Sequence, residues 1–303
     1  MCPERGTRPY CDTLDVSQTH PLPEITRLRT ADGVVLTGRH DPVRPDPADP
    51  ETGQDRQARV DGRSGEAVPT DDGLAFVVVH GFTGSWRRPD LRAVVERLRR
   101  HGGVVSFDLR GHGTSTGLAT VGASEHPDVS AAVAWARALG YRRVVTVGFS
   151  LGSLLVVRQA ALDRGVDAVV AVSGPSRWNY RGTPPMRRLH LGMGTRLGRA
   201  VLARRFGTRV AAGGWDPLPL PPDATVALVA PTPLLLVHGD ADPYFPVEHA
   251  LWLAEGAGPA ATLWIEPGMG HAEAASSPEL LDRMARWARA VAAERVPSAR
   301  MRA

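Results

Sequence analysis

Val144-Val145-Thr146-Val147-Gly148-Phe149-Ser150-Leu151-Gly152-Ser153 decides how the rest of the chain is read: a β-branched run breaks into Gly-Phe-Ser-Leu-Gly, and a helix-compatible stretch, Leu154 to Leu162, follows at once. Strand, sharp turn and helix is the context a G-x-S-x-G pattern needs before it carries chemical meaning. The serine of such a turn sits in a strained backbone conformation, and side chains at Gly148 and Gly152 would collide across it. Ser150 is thereby lifted clear of the strand. The amide of Leu151 opens a helix, so its N–H can point at developing negative charge. A Gly/Ser turn in a glycine-rich chain explains the same five residues without chemistry, so the decision passes to the flanking sequence.

Upstream, Leu74-Ala75-Phe76-Val77-Val78-Val79 reads as a buried strand and runs into His80-Gly81-Phe82-Thr83-Gly84, the expected place of a second oxyanion donor. Downstream, Leu234-Leu235-Leu236-Val237 runs into His238-Gly239-Asp240-Ala241-Asp242-Pro243, and Ala261-Thr262-Leu263-Trp264-Ile265 runs into Gly268-Met269-Gly270-His271. Serine, acid and histidine thus follow one another, each just past the end of an apolar run. In this order the chain resembles the α/β-hydrolase superfamily from about Ile25 to about Val296. The resemblance implies an α/β fold: a mostly parallel central sheet, helices on both faces and a small cap insertion. Alternation of strands and helices joined by short loops points to the same architecture.

A serine hydroxyl is barely nucleophilic near neutrality, so it needs a base within hydrogen-bond reach and an acid that fixes the base's tautomer. His271 is the expected base, since it sits on a glycine-rich loop between the last strand and the last helix, where the family places it; His80, His112, His238 and His249 are its rivals. Three acids, Asp240, Asp242 and Glu248, share one loop. Family members resembling H-G-x-x-D-x-x-x-P carry the catalytic acid at the position of Asp242, and Pro246 fits that spacing, which leaves Asp240 as a loop brace. The backbone amides of Phe82 and Leu151 are the expected oxyanion hole. Asp108-Leu109-Arg110-Gly111-His112-Gly113-Thr114-Ser115 is similar to a loop that serves the family as scaffold, so Asp108 and His112 are read as structural. No metal-ligand spacing, cofactor motif or nucleotide-binding glycine fingerprint accompanies these residues.

Around this frame, Leu91, Val94, Val95 and Leu98 recur at helical spacing behind Pro89, and Ile25 to Arg39 alternates as a hairpin about Ala31-Asp32-Gly33. The expected organisation is an irregular tail over residues 1–24, a core over 25–174 and 224–296, a cap over 175–223 and a tail over 297–303. The Asp-Pro-rich stretch 41–73 has almost no large apolar residue and reads as a disordered loop within the core. Nine arginines between Arg177 and Arg209 face only Asp216 and Asp223 across the cap. A solvated surface accounts for them, and attraction of an anionic substrate is the sharper alternative.

Composition bounds the function. The 303 residues are 43% hydrophobic, enough for a large core, and the formal charge of +4 is carried by arginine alone, because lysine is absent. Outside the cap no helix or ribbon concentrates arginine between stacking aromatics, which argues against a nucleic-acid partner. Both cysteines, Cys2 and Cys11, lie in the polar N-terminal stretch; with no apolar secretory segment and no run near the ~20 residues of a membrane span, a cytoplasmic location is expected. His-Gly-Phe-Thr-Gly together with Gly-Phe-Ser-Leu-Gly looks most like bacterial carboxylesterases and monoacylglycerol-lipase-like enzymes. A small-molecule carboxylic ester cleaved through an acyl-serine intermediate is the expected substrate, with thioester and peptide hydrolysis, or a non-catalytic receptor, as alternatives. Nothing in the sequence sets an oligomeric state.

Overall fold

The computed structural model describes residues 23–44 and 73–294. Among the described residues eight strands form one sheet in the order β1-β2-β4-β3-β5-β6-β7-β8. They are β1 (Glu24–Arg29), β2 (Val35–Asp41), β3 (Leu74–Val79), β4 (Gly103–Phe107), β5 (Arg143–Phe149), β6 (Ala168–Val172), β7 (Leu234–Gly239) and β8 (Ala261–Glu266). The β1–β2 hairpin pairs antiparallel with itself and with β4, and every other pairing is parallel. The inner parallel strands β3 to β7 are buried along nearly their whole length because helices cover both faces, while β8 at the sheet edge is only partly buried.

The pleat splits β3 between two cores. Ala75, Val77 and Val79 join a cluster with Val129, Ala132, Leu154 and Leu155, which belong to α2 (His126–Ala138) and α3 (Leu151–Leu162). Leu74, Phe76 and Val78 join the other cluster, covered by α1 (Pro89–Leu98) and α8 (Pro278–Glu294). The α1 face buries Leu91, Val94, Val95 and Leu98, the four positions its spacing predicts, behind Pro89 at the first turn. Between β6 and β7 lie α4 (Pro184–Gly194), α5 (Arg196–Phe206) and the short α6 (Pro222–Thr225); α7 (Glu248–Ala257) follows β7.

Chain direction reverses at the centre of the sheet. From β3 the chain passes to β4 on one side, and from β5 it passes to β6 on the other, so the carboxyl ends of β3 and β5 open into the crevice where ligands gather in open α/β sheets. The loops at His80–Gly84 and at Ser150 therefore meet there.

Two expectations change at the margins. Asp41, read as the start of a solvated loop, ends β2 fully buried, where it accepts from Arg39 and Arg92. A carboxylate can be buried there because two guanidiniums neutralise it. Residues 45–72 of the proposed loop, both cysteines, the tail up to residue 22 and the tail 297–303 lie outside the described residues, and Glu24, assigned to the tail, opens β1.

Candidate active site

The elbow is built by backbone crowding. An added Cβ on Gly148 would lie 2.2 Å from the Gly152 carbonyl oxygen, and one on Gly152 would lie 2.2 Å from that of Val79, so neither position admits a side chain. Between them Ser150 takes φ 53° and ψ −113°, a conformation L-residues rarely adopt. Its amide donates to Val172 O on the neighbouring strand at 2.9 Å, and the Ser153 hydroxyl donates to its carbonyl at 2.6 Å.

Three loops bring their side chains to this point. Ser150 Oγ lies 2.9 Å from His271 Nε2, and His271 Nδ1 lies 2.6 Å from Asp242 Oδ2. An ionised carboxylate only accepts, so Nδ1 carries the ring proton and Nε2 is left as acceptor for the serine hydroxyl. Asp242 is buried and held from behind: Oδ1 accepts from the amides of Tyr244 at 2.8 Å and Phe245 at 3.1 Å. The histidine loop is tied down by the Ala272 amide, which donates to Ser173 Oγ at 3.0 Å. Asp240 is exposed and accepts from the Gly268 amide at 2.6 Å, away from the imidazole. The geometry thus joins Ser150, His271 and Asp242 and sets Asp240 apart as a brace.

The loop after β3 is shaped by two buried histidines. His80 donates from Nδ1 to Gly81 O at 2.7 Å and accepts the Leu109 amide on Nε2 at 3.1 Å. His112 donates from Nδ1 to Arg110 O at 3.0 Å and accepts the Thr83 amide on Nε2 at 3.3 Å. Both rings must be neutral to accept on Nε2, and burial pushes His80 down to about 4 and His112 down to about 3. Asp108, read from the sequence as structural, is buried and accepts from Ser85 Oγ and the Trp86 amide. Phe82 and Leu151 line the same cavity as Ser150, and neither backbone amide donates to another protein group among the described residues.

These histidines set an acid limit on stability. Their folded-state values lie below the ordinary 6.5, so the unfolded chain binds protons first as pH falls. Stability is expected to be full above about pH 6.5 and to drop by about 2 kcal/mol for each ring between pH 7 and pH 5. Urea midpoints measured at the two pH values check this; unchanged midpoints would show that protonation of the pair costs nothing.

The remaining rivals are also occupied elsewhere. His238 donates from Nε2 to Phe245 O at 2.9 Å, and His249 accepts the Ser176 amide on Nδ1 at 3.1 Å. A cavity of about 900 Å³ opens over Ser150, walled by Trp178, Tyr180 and Trp215 from the segment between β6 and β7. Trp178 and Trp215 pack at 5.0 Å between ring centres, with their indole N–H groups donating to backbone carbonyls of Pro219 and Thr120. Sequence reasoning named these three aromatics but passed over two residues beside the site. The Tyr244 ring centre lies 4.5 Å from that of His271, and its only signal in the sequence is its place two residues after Asp242. Glu273 accepts the Gly81 amide at 3.3 Å, and burial pushes its carboxyl up; it stands two residues past His271. Among the described residues no cluster of three or more acidic, histidine or cysteine side chains could hold a metal. No described helix is long and apolar enough to cross a membrane.

Comparison with known proteins adds the following. Residues 76–290 match a family described as the alpha/beta hydrolase family. No curated protein sequence matches the chain. Among solved structures, an esterase of Pyrococcus furiosus is 21% identical with a TM-score of 0.63, over 89% of this chain and 91% of that one. The alpha/beta hydrolase GrgF from Penicillium is 19% identical with a TM-score of 0.62, over 90% of this chain and 100% of that one. A serine hydrolase without a lid from Xanthomonas campestris is 18% identical with a TM-score of 0.55, over 92% and 99%. At these identities the likeness is one of fold.

Proposed function

The chain belongs to the alpha/beta hydrolase family, and from that membership we propose that it is a serine hydrolase cleaving a carboxylic ester of a small molecule through an acyl-Ser150 intermediate. The observation that carries this reading is the unbroken pair of hydrogen bonds from Asp242 through His271 to Ser150 beneath an open cavity. The segment 175–223 then acts as a cap on a core formed by 25–174 and 224–296.

In the first half-reaction Ser150 Oγ attacks the ester carbonyl carbon while its proton passes to His271 Nε2. The carbonyl π electrons move onto oxygen, which the amides of Phe82 and Leu151 stabilise, each donor contributing about 3 kcal/mol at the transition state. Asp242 holds the imidazole in register and stabilises the imidazolium. Collapse breaks the bond to the alcohol oxygen, which leaves with the proton from Nε2. Water then attacks the acyl-enzyme along the same route, and Ser150 regains its proton.

A panel of p-nitrophenyl esters, one acyl-thioester and one aminoacyl amide tests the assignment. Steady turnover fastest on the esters, with a fluorophosphonate adduct on Ser150 alone, is the expected result. Fastest turnover on the thioester would make the protein a thioesterase and on the amide a peptidase, and a single slow acylation without turnover would make it a receptor.

A further inference from the structure

Leu151, Leu154 and Arg158 fall along one face of α3, which starts directly after Ser150, and all four residues border the cavity. Arg158 is only 9% exposed, and the residues before it on the helix, Leu154 to Val157, are apolar and buried. A guanidinium in such surroundings is costly unless it is paired. The other deeply buried arginine follows this rule: Arg110 grips Asp128 on one side and Asp32 on the other. Arg158 does not. It has no hydrogen bond or ion pair among the described residues, and its Nε is closed off from solvent with no acceptor.

Among the described residues, the carboxylates around Arg158 are engaged with other groups or make no contact with it. Glu125, whose field reaches Arg158, accepts from the amides of Thr120, Gly122 and Ser124 and from the Thr120 hydroxyl. The other acids bordering the cavity, Asp90, Asp216 and Glu273, make no ion pair with it. Burial lowers the proton affinity of Arg158, yet a guanidinium stays charged near neutrality. Among the described residues the cavity wall therefore holds a fixed positive charge with no counter-ion.

We infer that Arg158 binds the carboxylate of an anionic substrate, so that the preferred ester carries a free carboxylate at the end of the chain remote from the scissile bond, on its acyl or its alcohol side. This rests on the serine-hydrolase reading of the same site. Eight residues separate Ser150 from Arg158, which is about 12 Å along the helix axis. Both residues border the one cavity, so a medium-length aliphatic chain can span the distance between them. A carboxylate fits because its single charge is matched by one guanidinium through two parallel hydrogen bonds. This site differs from the rim arginines, several of which are spent on backbone carbonyls: Arg187 on Arg181 and Gly182, Arg199 on Met193, and Arg209 on Gly113.

The test uses two matched series: p-nitrophenyl half-esters of glutaric, adipic and suberic acids, and acetate esters of ω-hydroxy acids, each beside its neutral methyl-capped isostere and a phosphate-tailed analogue. Wild-type kcat/KM is expected to favour the carboxylate over the isostere by at least about tenfold in one series, with little change from low to high salt. Arg158→Met should lower kcat/KM for the carboxylate about 10- to 100-fold, leave the neutral ester within about threefold, and raise Tm because an unpaired buried charge is removed. Arg158→Lys should recover part of the preference. Equal wild-type rates for charged and neutral esters in both series, or equal losses on both in Arg158→Met, would overturn the inference, and preference for the phosphate tail would overturn the choice of carboxylate. Failure of the hydrolase reading is seen separately, as absence of turnover on every ester. In that event thermal shift with monomethyl suberate still decides: a shift in the wild type that Arg158→Met lacks supports the site, and no shift in either overturns it.

Discussion

Ser150→Ala protein is expected to fold as the parent does and to hydrolyse esters with kcat lower by about 10⁶-fold. Among the described residues the Ser150 hydroxyl has one hydrogen-bond partner, His271 Nε2, so its loss removes the nucleophile and breaks no other hydrogen bond there. Neither neighbouring serine can replace it, since the Ser153 hydroxyl is spent on the Ser150 carbonyl and that of Ser173 holds the Ala272 amide. Fluorophosphonate labelling should vanish with the activity. The same residue carries backbone strain at φ 53°, which glycine relieves. Ser150→Gly should therefore be equally inactive yet more stable than Ser150→Ala by about 1 kcal/mol, the strain released exceeding the added entropy cost of glycine. Calorimetry on the two variants reads the difference. Activity in Ser150→Ala above about 1% of the parent would remove Ser150 from the mechanism, an outcome well clear of the expected loss.

What could be read in the sequence was what covalent continuity forces together. The nucleophile elbow is contiguous, because a strand end, a strained residue and a helix start must follow one another, and glycines on both sides announce the crowding measured at Gly148 and Gly152. Three acids on one loop left the choice to the resemblance to H-G-x-x-D-x-x-x-P, which pointed to Asp242; in the fold Asp242 turns back onto the Tyr244 and Phe245 amides while Asp240 faces solvent and accepts from Gly268. Residues whose roles come from tertiary approach left no such trace. Glu273 acquires its place by reaching the Gly81 amide across the crevice, a contact between residues 192 positions apart. Arg158 sits in a helix that reads as continuous apolar core, where its charge stands out only once no partner is found. The helices α4 and α5 bury little beyond Met186 and Leu202, so their apolar residues carry no clear periodic signal. Asp41 was misplaced because Arg92, which neutralises it, lies 51 residues downstream.

Asp242→Asn is expected to lower kcat by about 10⁴-fold with a folded yield near that of the parent, and the hydrogen bonds around Asp242 say why. Two backbone donors, the amides of Tyr244 and Phe245, converge on Oδ1. In the variant they fix the amide oxygen of asparagine at that position, because the NH₂ group cannot accept. The NH₂ is then turned toward His271 Nδ1, 2.6 Å from the atom it replaces in the parent. Facing a donor, Nδ1 must give up its proton and accept, which moves the ring hydrogen to Nε2. That is the nitrogen that has to receive the serine proton, so the imidazole is held in place in the wrong tautomer. The loss should fall on kcat with KM little changed, since no group that touches the substrate is altered. Asp240→Asn is the control. Its carboxamide oxygen can still accept from Gly268, and the position is exposed, so the rate should stay within a few-fold and stability within about 0.5 kcal/mol. Steady-state kinetics on the two variants side by side decides between the aspartates: a larger loss at Asp240, or equal losses at both, would mean that the contact between Asp242 and His271 does not select the tautomer on which catalysis depends.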